Sequence, residues 1–215
     1  AGVSVPTMNS FERKETSLSV GKALDILEVV GLVAKRTRAS SQDAFVTAAE
    51  QRWSELTSEL SADSPSRQPH GHYTFDYEIA DTFANSIPNL LDALQRSGPR
   101  YSGWPPFWLP TRKAIAPYPF DGGIECWLGR PDAERAFNDA AHSDFWRAAI
   151  DARLYLRRGY QEDSVDVLAP ATVFDLTLPV WRTAETMLHA HHFAKVLRAK
   201  PDSEVSFRAY YTGLA

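Results

Sequence analysis

One cysteine in 215 residues, Cys126, leaves no internal disulfide to form and suits a reducing compartment, so a cytoplasmic setting is expected. Long apolar runs are also missing. None approaches the roughly 20 residues of a membrane helix, and the N-terminus has no basic-then-apolar signal pattern, so no membrane partner is expected. Basic charge is not in excess. The 23 Lys and Arg stand against 27 Asp and Glu, a net charge of −4, which disfavours a chain built mainly to coat nucleic acid. The motifs GxxxxGK[ST], GxGxxG, GxSxG and HExxH and a paired CxxC are all absent, so the classes they mark lose ground together. An initiating Met is lacking as well, which fits a piece of a longer polypeptide.

What is present suits a globular protein. Hydrophobic residues reach 44% and aromatics 12%, too apolar for a disordered chain, and the length allows one large domain or two small ones. Residues 1–18 show no sustained period and read as an arm. From Ser19, which can cap a helix, Val20, Ala23, Leu24, Leu27 and Val30 recur on one helix face. Gly31 offers a stop before the basic cluster Lys35, Arg36 and Arg38. Ser40 and Asp43 have the spacing of a capping box, and Phe45, Ala49, Trp53, Leu56 and Leu60 then form an apolar stripe. The Ser- and Pro-rich residues that follow read as a linker. The expected organisation is an N-terminal arm with two helices over 1–62, a linker over 63–70 and an α+β domain over 71–215.

Beyond the linker the period changes. Tyr73, Phe75, Tyr77 and Ile79 alternate with polar residues, which predicts a half-buried strand. Residues 87–96 predict a short helix, with Pro88 in its first turn and Gly98-Pro99 stopping it. Seven prolines from Pro99 to Pro131 exclude a long helix there. Residues 124–128 read as a strand, 133–151 as a helix broken near His142, 153–160 as a strand, 177–200 as the longest helix and 205–211 as a final strand. Strands and helices alternate without a βαβ rhythm. The expected class is α+β, a mixed, mainly antiparallel sheet packed by helices and preceded by a helical arm.

Several clusters have chemical potential. Glu185, His189 and His192 share one side of a helix at metal-ligand spacing, but that side is read as the solvated one, with His191 turned toward the core. His70 and His72 flank Gly71 without an evident third ligand. Asp121 and Glu125, with Asp76 or Glu78, resemble the acidic pair of metal-dependent nucleases, but Trp127 stands where such sites place a lysine. His142 and Asp144 flank Ser143, although neighbours this close on a helix do not face each other. Arg157, Arg158, Tyr160, Gln161, Glu162 and Asp163 cluster at a strand end, either as a site or as an ion-pair network tying the strand down. A pocket is expected to gather Trp104, Trp108, Asp121, His142, Asp144, Trp146, Arg158 and Glu162, because polar and aromatic types concentrate around strand ends and proline-rich loops.

Two resemblances bear on function. The blocks SGWPPFW (102–108), APYPFDGGIECWLG (116–129), AAHSDFWRA (140–148), LYLRRGYQEDS (154–164), FDLTLPVWRTAETMLHA (174–190) and YTGLA (211–215) occur in an order. Together they resemble the region C-terminal to a Schlafen-AlbA-type domain in bacterial proteins described as ATP-binding proteins or transcriptional regulators. The resemblance spans about residues 70–215, carries no catalytic residues across, and is not accompanied by an AlbA-like domain. Residues 20–38 resemble the recognition helix and wing entrance of a winged-helix regulator, which implies phosphate contacts by Lys35, Arg36 and Arg38. The same segment also reads as an amphipathic oligomerisation helix.

The expected function is a non-enzymatic regulatory or interaction module of a larger bacterial protein or complex, with a ligand pocket. The alternatives are a DNA-associated regulator using the 19–38 helix, and a metal-dependent hydrolase or nuclease. Expected partners are a second copy of the chain or a larger protein, with nucleic acid less favoured. No cofactor and no metal ligand is assigned.

Overall fold

The computed structural model describes residues 41–83, 86–99, 101, 103–130 and 139–214. The helix expected at 19–30 and the basic cluster Lys35, Arg36 and Arg38 lie outside the described residues. The elements in chain order are α1 (Ser41–Thr57), β1 (His72–Ala80), α2 (Ile87–Ser97), β2 (Tyr118–Phe120), β3 (Gly123–Trp127), β4 (Phe145–Ala149), β5 (Arg153–Gly159), α3 (Leu178–Leu197) and β6 (Glu204–Tyr211). The six strands form one sheet in the order β2-β3-β4-β5-β1-β6, with antiparallel pairing throughout. The protein is therefore α+β, with helices on a mainly antiparallel sheet as the sequence predicts.

Alternation along the strands divides the core in two. One sheet face carries Phe75, Tyr77 and Ile79 of β1, Leu154 and Leu156 of β5, Trp146 of β4 and Cys126 of β3. These pack on Leu90 and Leu94 of α2 and on Ala190 and Phe193 of α3. The opposite face carries Trp127, Phe145 and Tyr155, and the α1 stripe of Phe45, Ala49, Trp53 and Leu56 lies on them, extended by Leu60 beyond the helix.

Covering both faces changes what β1 must tolerate. It was expected to be half-buried, yet Thr74 and Asp76 are buried along with the apolar positions. Asp76 survives there because Gln42 Nε2 donates to its Oδ1 at 2.7 Å and Arg208 Nε at 2.9 Å. The α1 face has other such pairs. Arg157 Nη1 meets Glu50 Oε2 at 2.9 Å while its guanidinium lies 3.6 Å from the Trp53 ring centroid. Arg52 meets Glu125 at 3.1 Å.

The helix predicted over 133–151 is corrected. Residues 139–144 form turns and Phe145–Ala149 is strand β4, while 131–138 lie outside the described residues. Phe145 and Arg147 face α1, whereas Trp146 and Ala148 face the other core. With both faces covered the strand shows no polar-apolar alternation, and its apolar run imitates a buried helix. Residues 63–70, expected as a linker, contain a 3-10 turn at Pro65–Arg67, and both Ser66 and Gln68 are buried. Gln68 Oε1 accepts from Arg157 Nε at 3.0 Å.

Trp146 lies fully buried at the sheet centre, its indole N–H donating to the Trp108 carbonyl at 2.9 Å. Trp146→Ala is expected to lower the unfolding free energy in urea by about 3–5 kcal/mol. A loss under about 1 kcal/mol would contradict its place in the core.

Candidate ligand-binding site

A cleft of about 270 Å³ opens on the α3 side of the sheet, at the end where β1 begins and β5 finishes. β1 and β5 supply Tyr73 and Arg158, and the proline-rich loop supplies Trp104. The turn before β4 adds His142, the segment after β5 adds Tyr160 and Glu162, and the approach to α3 and its first turns add Phe174 and Arg182. Gly159 makes the corner possible: a Cβ there would sit 2.7 Å from the Ala140 carbonyl oxygen and Cβ, so the turn carrying His142 closes directly onto β5.

The floor is built on one ion pair. Asp144 is fully buried, and Arg158 grips it with Nε on Oδ1 at 2.7 Å and Nη2 on Oδ2 at 2.5 Å. Burial opposes the guanidinium charge, but Asp144 and the Tyr73 hydroxyl outweigh it and hold Arg158 above the usual arginine range. The same pair organises the loop above. Trp104 Nε1 donates to Asp144 Oδ2 at 3.0 Å, and Arg158 Nη2 donates to the Pro105 carbonyl at 3.2 Å. Trp108 lies behind, its ring centroid 4.6 Å from that of Trp104.

A second cation comes from α3. Arg182 Nη1 donates to the Trp104 carbonyl, and Glu185 Oε2 stands 3.7 Å from the same nitrogen. Burial, then the neighbouring Arg158 guanidinium, pull Arg182 below the ordinary arginine range. At the rim, His142 Nδ1 lies 2.8 Å from Asp139 Oδ1, and the imidazole meets Trp104 edge to face at 4.6 Å. Across the cleft Tyr160 and Phe174 meet edge to face at 5.4 Å. Glu162 Oε1 accepts from the Asp175 amide at 2.5 Å, tying the rim loop back.

Of the eight residues expected at a pocket, Trp104, His142, Arg158 and Glu162 line this cleft. Asp144 sits behind them as the counter-ion of Arg158. Trp108 and Trp146 support the Trp104 loop from below rather than facing the cleft. Asp121 does not belong with them: it lies at the β2–β3 turn, its side chain 75% exposed and 3.4 Å from Arg147. Tyr73, Tyr160, Phe174 and Arg182 were not foreseen. Tyr73 and Tyr160 stood in stretches already singled out, but Arg182 was hidden by a misread helix face.

That misreading is the main correction. On α3 the buried side carries Arg182, Thr183, Glu185, Thr186 and His189, whereas Trp181 and His191 are exposed. The sheet and loop present polar partners to this helix. Tyr77 hydroxyl meets His189 Nδ1 at 2.8 Å, and the Tyr101 amide donates to Glu185 Oε1 at 2.8 Å. Glu185 and His189 are thus core contacts instead of a solvated surface pair. Burial, with a smaller push from His192, brings the His189 imidazole down to about 3.

Other chemical candidates are absorbed by the fold. Ser143 is fully buried, donating to the Asp139 carbonyl and lying 3.3 Å from Ser66 Oγ. Asp144 faces Arg158, and His142 faces Asp139, so His142 and Asp144 do not form a pair. Glu125 is buried between Arg52 and Arg147, with Tyr118 donating to it. His72 is taken by Arg157 and Thr212, and burial with the Arg157 charge lowers it to about 3. Among the described residues no three His, Cys, Asp or Glu side chains are grouped to hold a metal ion. None of the described helices is long and apolar enough to cross a membrane. No family model, no curated protein and no solved structure matches the chain in comparisons with known proteins.

Removing one partner of the floor pair leaves the other charge buried. Asp144→Asn is expected to cost about 3–5 kcal/mol in chemical denaturation, and adding Arg158→Met should restore part of that loss. An unchanged unfolding midpoint for the single variant would contradict the pairing.

The two depressed histidines set a pH dependence. Each sits at about 3 when folded, against about 6.5 in the unfolded chain. The unfolded state therefore takes up protons first, so this stability is complete above about pH 6.5 and drains away as pH falls toward 3. Between pH 6 and 5 the slope should reach roughly 2 kcal/mol per pH unit, with His72 discounted for partial solvation. His189→Gln should remove about half of that slope in urea titrations at stepped pH; a slope that stays the same would contradict the burial of a neutral imidazole.

Proposed function

We propose that this chain is a non-enzymatic regulatory or interaction module whose cleft holds a small ligand, acting as part of a larger bacterial protein or complex or as a homodimer. The observation that carries the reading is convergence. Five segments distant in sequence place Tyr73, Trp104, His142, Arg158, Tyr160, Glu162, Phe174 and Arg182 around one cleft of about 270 Å³. Apolar walls with a few fixed polar groups are the usual composition of a ligand site, and this volume suits a metabolite smaller than most drug-sized ligands. The regulatory context is supported by the resemblance of residues 70–215 to the segment that follows a Schlafen-AlbA-type domain. The non-enzymatic part is supported by Ser143 and Cys126, whose nucleophilic groups are fully buried, the Cys126 thiol being pushed well up by burial.

The test is fragment binding followed at the Trp104 indole by NMR. His142→Ala and Glu162→Ala are expected to weaken binding by tenfold or more while changing stability by less than about 1 kcal/mol, because both side chains are partly exposed. Variants that alter stability alone and never binding would overturn the reading.

A further inference from the structure

Resting on that reading of the cleft, we infer that its ligand is a small quaternary ammonium compound, its cationic head held among ring surfaces beside Glu162. The charges at the cleft come first. Both arginines there are already matched. Asp144 grips Arg158 at two points, and Arg182 pairs at 3.7 Å with Glu185, whose side chain is 2% exposed. His142 likewise meets Asp139. Glu162 differs, since it accepts the Asp175 amide and forms no ion pair among the described residues. The segment that carries it, residues 161–175, also holds Asp163, Asp166 and Asp175 and has no Lys, Arg or His. The rim is therefore negative on balance, which attracts a cation and repels a phosphate ester or a simple carboxylate.

The walls decide which cation. Tyr160 and Phe174 stand at 88° with ring centroids 5.4 Å apart, and Tyr73 continues the row at 6.1 Å from Tyr160. Trp104 lines the same cleft. The polar tips of these rings are committed elsewhere. The Tyr160 hydroxyl is directed to the His72 and Thr212 carbonyls, Tyr73 accepts from Arg158 Nη1 at 3.4 Å, and Trp104 Nε1 donates to Asp144. What they offer a ligand is ring surface, whose π electrons attract a cation. A primary ammonium brings three N–H donors, and each needs an acceptor once water is excluded. Among the described residues lining the cleft, Glu162 is the only carboxylate. A quaternary ammonium has no donor to satisfy and packs its methyl groups against rings and apolar side chains, here extended by Leu178 and Pro179. The volume of about 270 Å³ admits a molecule the size of choline and is small for a nucleotide.

The experiment follows the Trp104 indole N–H by NMR while the chain is titrated with choline and with tetramethylammonium. Two matched comparators run alongside: 3,3-dimethylbutanol, which has the shape of choline without its charge, and ethanolamine, which carries the charge as a primary ammonium. Both quaternary compounds are expected to saturate the site, and each comparator should bind about tenfold or more weakly than choline. Phe174→Leu, which keeps an apolar wall but removes a ring, should weaken choline about fivefold and leave dimethylbutanol within about twofold. Glu162→Gln, at the partly exposed rim, should narrow the preference for choline over dimethylbutanol about threefold. Comparators binding as well as choline would overturn the proposal, and so would quaternary compounds that leave the indole unshifted. In that event, other fragments that shift the Trp104 indole would leave the cleft a binding site of different chemistry, whereas an indole that no fragment shifts would sink both readings.

Discussion

A carboxylate with no exposed surface cannot remain charged without a partner, and Asp144 finds one in Arg158. That requirement orders the surrounding chain. Arg158 ends β5 on the α3 face, Asp144 precedes β4, and the two-point grip fixes the offset of one against the other. The Trp104 indole and the Pro105 carbonyl complete the hydrogen bonding of the pair, so a proline-rich loop that makes no long regular element is held by polar contacts from below. The cleft stands above this pair. Its shape depends on a charge that lies under the surface a ligand would touch.

The same solution recurs elsewhere. One face of the sheet is covered by α1 and the other by α2 and α3, and both α1 and α3 bring polar groups inward with their partners. On α1 they are Gln42, Glu50 and Arg52, meeting Asp76, Arg157 and Glu125. On α3 they are Arg182, Glu185 and His189, meeting the Trp104 carbonyl, the Tyr101 amide and Tyr77. Such contacts cost desolvation and return directional constraint, so they select one docking angle where a purely apolar interface would accept several.

Period and punctuation made much of the fold legible. The α1 stripe, the strands at β1, β3, β5 and β6, the short helix opened by Pro88 and the long helix before β6 all follow from side-chain spacing and from Gly and Pro. Two errors share one cause. β4 shows no alternation because both its faces are covered, and α3 was turned around because its buried side is the more polar one. Hydrophobicity reports burial only when the partner surface is apolar, and although Ala190 and Phe193 of α3 do pack in the apolar core, Arg182, Glu185 and His189 meet a carbonyl, an amide and a phenol. Within the candidate site, Trp104, His142, Arg158 and Glu162 were readable as polar and aromatic groups near strand ends. Asp121 met the same criterion and failed, since composition does not say which face of a sheet a turn serves. Arg182 required the correct helix face, which only the assembled sheet supplies.

The position of α1 has a consequence for how the polypeptide can be divided. By composition the natural cut falls in the Ser- and Pro-rich stretch before β1. A chain begun there would lack the helix that covers Trp127, Phe145 and Tyr155, and would strip Glu50 from Arg157, Gln42 from Asp76 and Arg52 from Glu125. It would expose a sticky apolar strip studded with mismatched charges on the back of the sheet. The smallest autonomous unit thus begins upstream of the apparent boundary, and any shuffling of this segment between proteins would have to carry the preceding helix along.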